Sequence, residues 1–228
     1  DIRNLDTLKK TFVDADAVLH QAALRSVPAS LKDPQAYTDV NITGTYNVLE
    51  AARVSGVKRV VFASSSSIYG DLLHLPQHEE KMGTRLSPYA ISKYVGEDYC
   101  KFFWKTYGLE TVALRYFNVF GPKQDPFSQY SAVIPLFILA LKENKQPTIF
   151  GNGEQTRDFS HVANVVQANI LAMTSQKAVG QSINIANGEC ISVNLLFEKI
   201  RSFLNKTTQP LYAPERTGDI KHTRADNT

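Results

Sequence analysis

Short apolar runs alternate along this chain with amphipathic helical stretches, and the alternation restricts the possible fold classes. "DAVLHQAA" (16–23), "KRVVFASSSS" (58–67) and "ETVALRYFNVFG" (110–121) contain the continuous hydrophobic runs typical of strands buried on both faces. Residues 34–55 and 87–108 between them have the length and apolar spacing of helices. Because parallel strands are joined by crossover helices, this order predicts an α/β fold with a Rossmann-like, doubly wound parallel sheet.

The C-terminal part of the chain follows a different pattern. Residues 147–162 have the pattern of a strand, an Asn-Gly turn and a second strand, which predicts a β-hairpin. A helix at 162–176, a strand at 182–187 and a helix at 195–205 follow. We expect the sheet-based layer to be joined by a smaller, irregular domain.

Four consecutive serines, Ser64 to Ser67, end the strand at 58–67. Ligands of open parallel sheets bind beyond the carboxyl ends of the strands, so these hydroxyls lie where a ligand is expected. A polar strand exit, with hydroxyls bonded to stray backbone groups, explains one or two serines readily but four less well. The serines are therefore candidate site residues.

Tyr89 and Lys93 are spaced i and i+4, so their side chains share one face of the helix at 87–108. A phenol titrates near pH 10, and a base that acts near pH 7 needs about 4 kcal/mol of help for the phenolate. An ammonium group one turn away supplies part of that through its charge. The spacing alone is weak evidence, but its place one loop after the four serines makes the combination much stronger.

Three motifs resemble one known family: "SSSSIYG" (64–70), "SPYAISK" (87–93) and "LRYFNVFGP" (114–122). They resemble the extended short-chain dehydrogenase/reductase superfamily and, within it, the NAD-dependent nucleotide-sugar epimerases and dehydratases. The resemblance runs from Asp1 to Asp226 and implies an NAD cofactor and a UDP-sugar substrate. It divides the chain into an NAD-binding domain, 1–118 with 159–187 returning to it, and a substrate domain, 119–158 with 188–228.

One departure from the family concerns the start of the sheet. The family fold begins with strands around a Gly-rich phosphate turn, and this sequence contains no such turn. It opens at Asp1 with "DIRNLDTL", which resembles the tail of a strand entering a helix. We therefore expect the first two to three strands to be missing from this sequence through truncation or omission.

The resemblance assigns cofactor contacts to several segments. "DIR" (1–3) resembles the segment that touches adenine, "LHQAA" (19–23) the loop over the pyrophosphate and ribose, and Asn41 an asparagine near the active site. The implied cofactor-binding residues are Asp1, Ile2, Gln21, Ala22, Ala23, Asn41, Tyr89, Lys93 and Phe117.

The end of the serine strand also bears on the reaction class. Family members that eliminate water or lose a carboxylate carry an acid beside the strand hydroxyl, because those reactions need extra proton handling. Ser66 and Ser67 stand there in this chain, which favours a 4-epimerase. The enzyme alternatives are a UDP-glucuronate 4-epimerase and a nucleotide-sugar 4,6-dehydratase. The alternative of another class is a non-catalytic nucleotide-sugar-binding relative.

The mechanism implied by the resemblance gives each catalytic residue a role. Tyr89 takes the proton of the sugar 4-hydroxyl while NAD+ takes the hydride from C4. Ser65 orients that hydroxyl and relays the proton, Ser66 lies beside it, and Lys93 also holds the nicotinamide ribose. The 4-keto sugar then turns over about its diphosphate, and the hydride returns to the other face.

The substrate contacts follow from the same resemblance. Arg157 and Arg216 are candidates for the diphosphate, since a guanidinium fork suits phosphate oxygens, although surface ion pairing is the usual role of an arginine. Ala132, Val133 and Phe150 match segments that cradle uracil, although alone they have the character of core residues. The implied substrate-binding residues are Ser65, Asn118, Ala132, Val133, Phe150, Arg157, Arg216, Asp219 and Thr223.

Thr223, in "KHTRAD" (221–226), matches the position beside the C2 substituent of the sugar. A tyrosine there would crowd an N-acetyl group, whereas a threonine leaves room. "NVFGPKQDPFSQYSAVIP" (118–135) also resembles the subgroup that interconverts UDP-N-acetylglucosamine and UDP-N-acetylgalactosamine. We therefore expect N-acetylated substrates, and UDP-glucose and UDP-galactose stay open as further substrates.

Family members also pair through a four-helix bundle, and the helices at 34–55 and 87–108 supply the matching region. Their apolar and aromatic faces predict a homodimer, and burial against the chain's own sheet is the competing explanation for some of these residues. The residues are Tyr46, Val48, Tyr99, Phe103 and Trp104.

Composition excludes several other classes. The net charge of +3 is spread without runs and gives no basic stripe for nucleic acid. The most apolar run, "AVIPLFILAL" (132–141), is too short to span a bilayer and contains a proline, so we expect no membrane partner. Cys100 and Cys190 stand in no CxxC motif, which predicts no metal site and fits a cytoplasmic location.

Overall fold

The computed structural model describes residues 1–72, 74–127, 132–215 and 221–227. The α-helices in this part of the chain are α1 (Leu5–Thr11), α2 (Val27–Lys32), α3 (Pro34–Tyr37), α4 (Gly44–Val54), α5 (Pro88–Tyr107), α6 (Val133–Lys142), α7 (Val162–Thr174) and α8 (Val193–Phe203), and short 3-10 helices lie at Ser66–Tyr69 and Gln176–Ala178. The strands are β1 (Ala17–His20), β2 (Arg59–Ser65), β3 (Glu110–Tyr116), β4 (Val119–Phe120), β5 (Thr148–Phe150), β6 (Thr156–Arg157), β7 (Ser160–His161), β8 (Ser182–Ile185), β9 (Ile191–Ser192) and β10 (Leu211–Ala213).

The main sheet has the strand order β1-β2-β3-β8, and each neighbouring pair is parallel. The register places Ser65 of β2 opposite Tyr116 of β3, and Tyr116 opposite Ile185 of β8. The carboxyl ends of these three strands therefore meet at one edge of the sheet. The α/β class with a parallel sheet, predicted from the sequence, is confirmed.

Strand β2 is buried on both faces, which explains its unbroken apolar run. Val60 and Phe62 pack with Cys100 and Phe103 of α5, whereas Val61 packs in the cluster that contains Ala172 of α7. Successive side chains of a strand point to opposite faces, so α5 covers one face of the sheet and α7 the other.

Helix α5 begins and ends where its sequence indicates. The Ser87 side chain accepts a hydrogen bond from the backbone N–H of Ala90, and Gly108 closes the helix in the left-handed conformation, with φ of 70°. A Cβ atom at Gly96 would lie 2.4 Å from the Phe62 ring. The absence of a side chain at Gly96 thus allows α5 to lie close against β2.

The helix predicted at 34–55 is not one regular α-helix. Residues Thr38–Thr43 form a π-helical segment between α3 and α4. Asn41 lies in this segment and is almost fully buried. The wider turn changes which side chains face inward, and a 3.6-residue periodicity in the sequence does not reveal it.

The β-hairpin predicted at 147–162 is wrong. Gly151 and Gly153 have positive φ and do turn the chain, but the strands on either side of them pair elsewhere. Strand β5 pairs in parallel with β10, and β6 pairs antiparallel with β9. Long-range pairing with C-terminal strands has replaced the local pairing that the Asn-Gly turn suggested.

A separate hydrophobic cluster joins the later elements. It contains Phe137 and Leu141 of α6, Ile149 of β5, and Val193 and Phe197 of α8. The most apolar sequence run therefore forms α6 and packs in this cluster. In the part of the chain that the structure describes, helices with the length and hydropathy needed to cross a membrane are not found.

The aromatic residues of α4 and α5 divide between the interior and the surface. Val48 and Phe103 are buried in this chain's own clusters, so the competing explanation holds for these two. Tyr46 and Tyr107 are 40% and 50% exposed, and Phe102 is also exposed. These exposed aromatic side chains are the part of α4 and α5 that is available to pair with a second copy of the chain.

Candidate active site

A groove of about 690 Å³ lies at the carboxyl edge of the main sheet. Its walls come from the loop after β1, the end of β2, the first turns of α5, the segment after β3 and the C-terminal region. Described residues that line it include Gln21, Ala23, Arg25, Ser64, Ser65, Ser66, Ser67, Tyr89, Lys93, Tyr116, Asn118, Gln124, Ala132, Arg157, Val165 and Thr223. A second cavity, of about 310 Å³, shares Asn118, Ala132 and Arg157 with it and adds Val133 and Phe150.

Tyr89 and Ser65 meet inside this groove. Tyr89 is in the first turn of α5, and its side chain lines the groove together with that of Ser65. Burial raises the pKa of Tyr89, while the neighbouring Ser65 side chain and the charge of Arg25 act in the opposite direction. The net shift of the Tyr89 pKa is upward, whereas the sequence predicted a downward shift. The cation that lowers this pKa is Arg25 and not Lys93.

Lys93 lies one turn along the same helix and is bonded to the strand backbone. Its ammonium donates a hydrogen bond of 2.7 Å to the carbonyl oxygen of Ala63 and lies 5.0 Å from the centre of the Phe62 ring. Burial lowers the pKa of Lys93 from 10.5 to about 8. His20 is buried close by, bonded to Thr45, and burial with the Lys93 charge lowers its pKa to about 3, so the imidazole is neutral.

The pKa of Lys93 predicts how stability depends on pH. Below about pH 8 the amine is protonated in both the folded and the unfolded states, and above about 10.5 it is neutral in both. Between these values the unfolded state binds more protons, so this amine makes the free energy of unfolding rise with pH. Denaturant titrations from pH 7.5 to 10 should show this rise in the wild type and not in Lys93→Met. Lys105→Met, on the exposed side of α5, serves as the control, and parallel wild-type and Lys93→Met profiles would contradict the assignment.

The four serine hydroxyls have different partners. Ser65 Oγ accepts a hydrogen bond of 3.2 Å from the backbone N–H of Ser67 in addition to its contact with Tyr89. The hydroxyl of Ser67 is buried and has no hydrogen-bond partner within residues 1–72, 74–127, 132–215 and 221–227. Ser66 lines the groove, whereas the Ser64 hydroxyl donates a hydrogen bond of 2.5 Å to Glu97.

A buried ion pair lies beneath the groove. Glu97 and Arg115 are 0% and 1% exposed, and the guanidinium donates to both carboxylate oxygens, at 2.9 and 2.8 Å. The Ser182 hydroxyl of β8 donates to the same carboxylate at 3.0 Å. Arg115 also donates to the Tyr69 hydroxyl and to the carbonyl oxygen of Glu79. Glu97 thus connects helix α5 to three strands of the sheet.

The substrate-side residues are organised around Asp158, which is fully buried. Its carboxylate accepts hydrogen bonds from the backbone N–H groups of Asn187, Gly188 and Ala225. Asn118 donates to the carbonyl oxygen of Asp158 at 2.9 Å and to the Thr223 hydroxyl at 3.4 Å. Asn118 and Thr223 are thereby held together in the wall of the groove.

Arg157 donates to the carbonyl oxygens of Thr156 and Lys221 and borders both cavities. Arg216 and Asp219, the other two predicted substrate ligands, lie outside the described residues.

The structure does not bring every predicted cofactor residue to the groove. Asp1 is paired with Arg3, and Ile2 packs against Gly44 of α4. Within the described part of the chain, the groove-lining residues do not include Asp1, Ile2, Ala22, Asn41 or Phe117.

Asn41 and Phe117 are buried instead. Asn41 donates to the carbonyl oxygen of Leu24 and to the Ser92 hydroxyl, and it accepts from the backbone N–H of Leu24. It therefore fixes the loop that carries Gln21 to Arg25. Phe117 packs against Tyr69 in the hydrophobic interior.

Three polar residues of the groove were not predicted from the sequence. Arg25 lies two residues after the "LHQAA" segment and carries the charge that acts on Tyr89. Tyr116 is bonded to Gln21 and Asn169 across the floor of the groove. The side-chain oxygen of Gln124 is buried without a partner in the described part of the chain. The position of Arg25 in the loop after a predicted strand was the available signal; nothing in the sequence marks the other two.

Clusters of three or more His, Cys, Asp or Glu side chains that could hold a metal ion do not occur among the described residues.

A family model described as the NAD dependent epimerase/dehydratase family matches residues 1–186. A UDP-glucuronate 4-epimerase from Thermodesulfobacterium geofontis is 38% identical over 99% of this chain and 69% of its own length. A UDP-glucose 4-epimerase from Mycolicibacterium smegmatis is 35% identical over 97% of this chain and 74% of its own length.

A solved structure extends the comparison to the fold. The UDP-N-acetylglucosamine 4-epimerase from Methanobrevibacter ruminantium, in complex with UDP-N-acetylmuramic acid, superposes with a TM-score of 0.93 at 44% identity. The match covers 97% of this chain and 71% of that one.

Proposed function

The chain belongs to the NAD-dependent epimerase/dehydratase family, as its motifs predicted, and on that premise we propose that it is a UDP-sugar 4-epimerase that accepts N-acetylated sugars and works through a 4-keto intermediate. The observation that carries the proposal is the meeting of Tyr89 and Ser65 in one groove, with Lys93 one helical turn away. It puts a proton acceptor and a hydroxyl relay in one place, beyond the carboxyl ends of the strands.

The groove residues fit the nicotinamide end of NAD. The Lys93 ammonium has three N–H donors, and the hydrogen bonds found in the described residues use one of them, to Ala63. The buried and unpartnered Ser67 hydroxyl adds a further polar group at the groove. Gln21, Ala23, Tyr89 and Lys93 are the predicted cofactor residues that line the groove and would hold the group. When bound, NAD+ accepts and returns the hydride at C4 of the sugar.

The work of this chain in the reaction is to move one proton and to hold the substrate. Ser65 lies between the sugar 4-hydroxyl and Tyr89 and relays the proton, and Tyr89 takes it and later gives it back. Burial raises the pKa of Tyr89 and favours the neutral phenol, and the charge of Arg25 acts in the opposite direction. Arg157 and Asn118 line the groove on the substrate side, where they suit the diphosphate.

The absence of an acid beside Ser65 supports epimerisation over dehydration. Ser66 and Ser67 are hydroxyl residues, and neither can protonate a leaving hydroxide as a carboxylic acid would. A UDP-glucuronate 4-epimerase is the second candidate, because a relative with that name is 38% identical and because Arg25 and Arg157 border the groove. A non-catalytic relative is disfavoured, since Tyr89, Lys93 and Ser65 are all present and line one groove.

The sugar preference rests on Thr223. This side chain lies in the wall of the groove, and its hydroxyl accepts hydrogen bonds from the backbone N–H of Asp158 and from Asn118. A small side chain held at this point supports acceptance of an N-acetyl group at C2.

The test supplies full-length protein and NAD+ with UDP-N-acetylglucosamine, UDP-glucose or UDP-glucuronate in separate reactions. Products are separated by chromatography and weighed by mass spectrometry. We expect the UDP-N-acetylglucosamine reaction to yield an isomer of unchanged mass. Loss of water would indicate a dehydratase, turnover of UDP-glucuronate alone would favour the second candidate, and turnover of UDP-glucose alone would remove the Thr223 argument.

Two further parts of the proposal concern the domain organisation and the oligomeric state. We infer a division into an NAD-binding domain, residues 1–118 with 159–187, and a substrate domain, residues 119–158 with 188–228. The separate hydrophobic cluster around Phe137 and Phe197 supports it.

We also infer a homodimer through α4 and α5, supported by the exposed Tyr46 and Tyr107, and sedimentation at several concentrations tests it.

A further inference from the structure

Helix α5 meets the end of β2 at three successive residues of the strand. Tyr89, Lys93 and Glu97 are spaced four residues apart, so they share one face of the helix. Tyr89 faces the groove beside the Ser65 side chain, Lys93 donates to the carbonyl oxygen of Ala63, and Glu97 accepts from the Ser64 hydroxyl. Tyr89 and Ser65, the two proposed reacting groups, thus meet at the outermost of the three places where α5 meets the end of β2.

The end of β2 has fewer strand neighbours than the rest of it. Pairing with β1 stops at Phe62, whereas pairing with β3 continues to Ser65. Residues 63–65 therefore have a strand partner on one side only, and their distance from α5 depends more on side-chain contacts. The Ser64–Glu97 hydrogen bond is the buried contact next to Ser65.

Glu97 is well suited to hold the Ser64 hydroxyl in place. Its carboxylate is fully buried and is itself held by two hydrogen bonds from Arg115 and one from Ser182. A carboxylate fixed by a bidentate guanidinium has little freedom to move. The Ser64 hydroxyl is therefore bonded to a rigid acceptor.

We propose that Glu97 is a positioning residue for the proposed epimerase reaction: by holding the Ser64 hydroxyl, it sets the distance between Ser65 and Tyr89. This inference rests on the proposed function, because it assigns the geometry of the pair that moves the proton. Misplacement of reacting groups by about 1 Å can cost about 100-fold in rate, so the loss of this contact acts on turnover more than on substrate binding.

The test compares two alanine variants of the full-length protein. Ser64→Ala and Ser182→Ala each remove one hydroxyl donor to the same carboxylate, but Ser64 is on the strand that carries Ser65, and β8 contributes no described residue to the groove. We expect kcat to fall by about 10-fold or more in Ser64→Ala with KM nearly unchanged, and to stay close to wild type in Ser182→Ala. Both variants should show similar small losses in thermal stability. Ser64→Thr, which keeps the hydroxyl, should restore most of the turnover.

The outcomes separate this inference from the proposed function. An active wild type with equal kcat in the two alanine variants would overturn the positioning role alone, and so would a rise in KM at unchanged kcat in Ser64→Ala. A wild type without epimerase activity on the UDP-sugars would overturn the proposed function and this inference with it. Should Ser64→Ala not fold, Ser64→Cys keeps the side-chain volume with a weaker donor, and wild-type kcat in that variant would count against the proposal.

Discussion

Tyr89→Phe should lower kcat for 4-epimerisation by about 100- to 10,000-fold, the usual contribution of a positioned general acid–base group. The substitution removes the hydroxyl that faces the groove beside Ser65 and keeps the ring. Since burial disfavours the charged form of Tyr89, a phenylalanine suits the same site, and the folded protein should be about as stable as the wild type. Steady-state kinetics with UDP-N-acetylglucosamine and NAD+ measure the effect, and KM should change far less than kcat.

Tyr94→Phe is the matched control for this prediction. It makes the same chemical change on the same helix, where the ring of Tyr94 packs under the Arg85 guanidinium at 3.8 Å and does not line the described part of the groove. This variant should keep wild-type kinetics. A Tyr89→Phe enzyme that keeps more than a tenth of the wild-type kcat would contradict the role given to the phenol.

The second large effect concerns stability. Arg115→Met should lower the free energy of unfolding by about 3–5 kcal/mol, because it leaves the fully buried Glu97 carboxylate without its counter-ion. The Tyr69 hydroxyl and the carbonyl oxygen of Glu79 lose their donor as well. Denaturant titration followed by circular dichroism measures the loss.

A double variant separates charge from packing. Adding Glu97→Gln to Arg115→Met removes the stranded charge while keeping acceptor and donor groups of nearly the same shape. We expect the double variant to be more stable than Arg115→Met alone, which is a coupling that double-mutant cycles detect. Strictly additive losses would show that the pair does not act as a unit.

The parts of the fold that the sequence predicted are those set by local pattern. The apolar run of β2 and the capping residues of α5 act through near neighbours, so the strand, the helix and their order could be inferred. The π-helical segment at Thr38–Thr43 and the partners of β5 and β6 could not. Both depend on contacts with distant parts of the chain, which override turn preferences.

The candidate site shows the same division. Helical spacing placed Tyr89 and Lys93 on one face, and the strand end placed the serines beside them. The partner of Lys93 is a backbone carbonyl, and no residue type in the sequence marks such an acceptor. The role of Asn41 as a brace for the Leu24 loop, and not as a groove residue, likewise follows only from the path of the chain.

The segment 221–227 completes the groove, because it carries Thr223 and is anchored on earlier parts of the chain. Gln77 exchanges backbone hydrogen bonds with Arg224 and Asp226, and Thr223 bonds to the carbonyl oxygen of Thr156. During synthesis on the ribosome, a nascent chain therefore lacks one wall of its binding site until this segment has left the exit tunnel. Newly made protein therefore binds its ligand only late, after the sheet has had time to assemble.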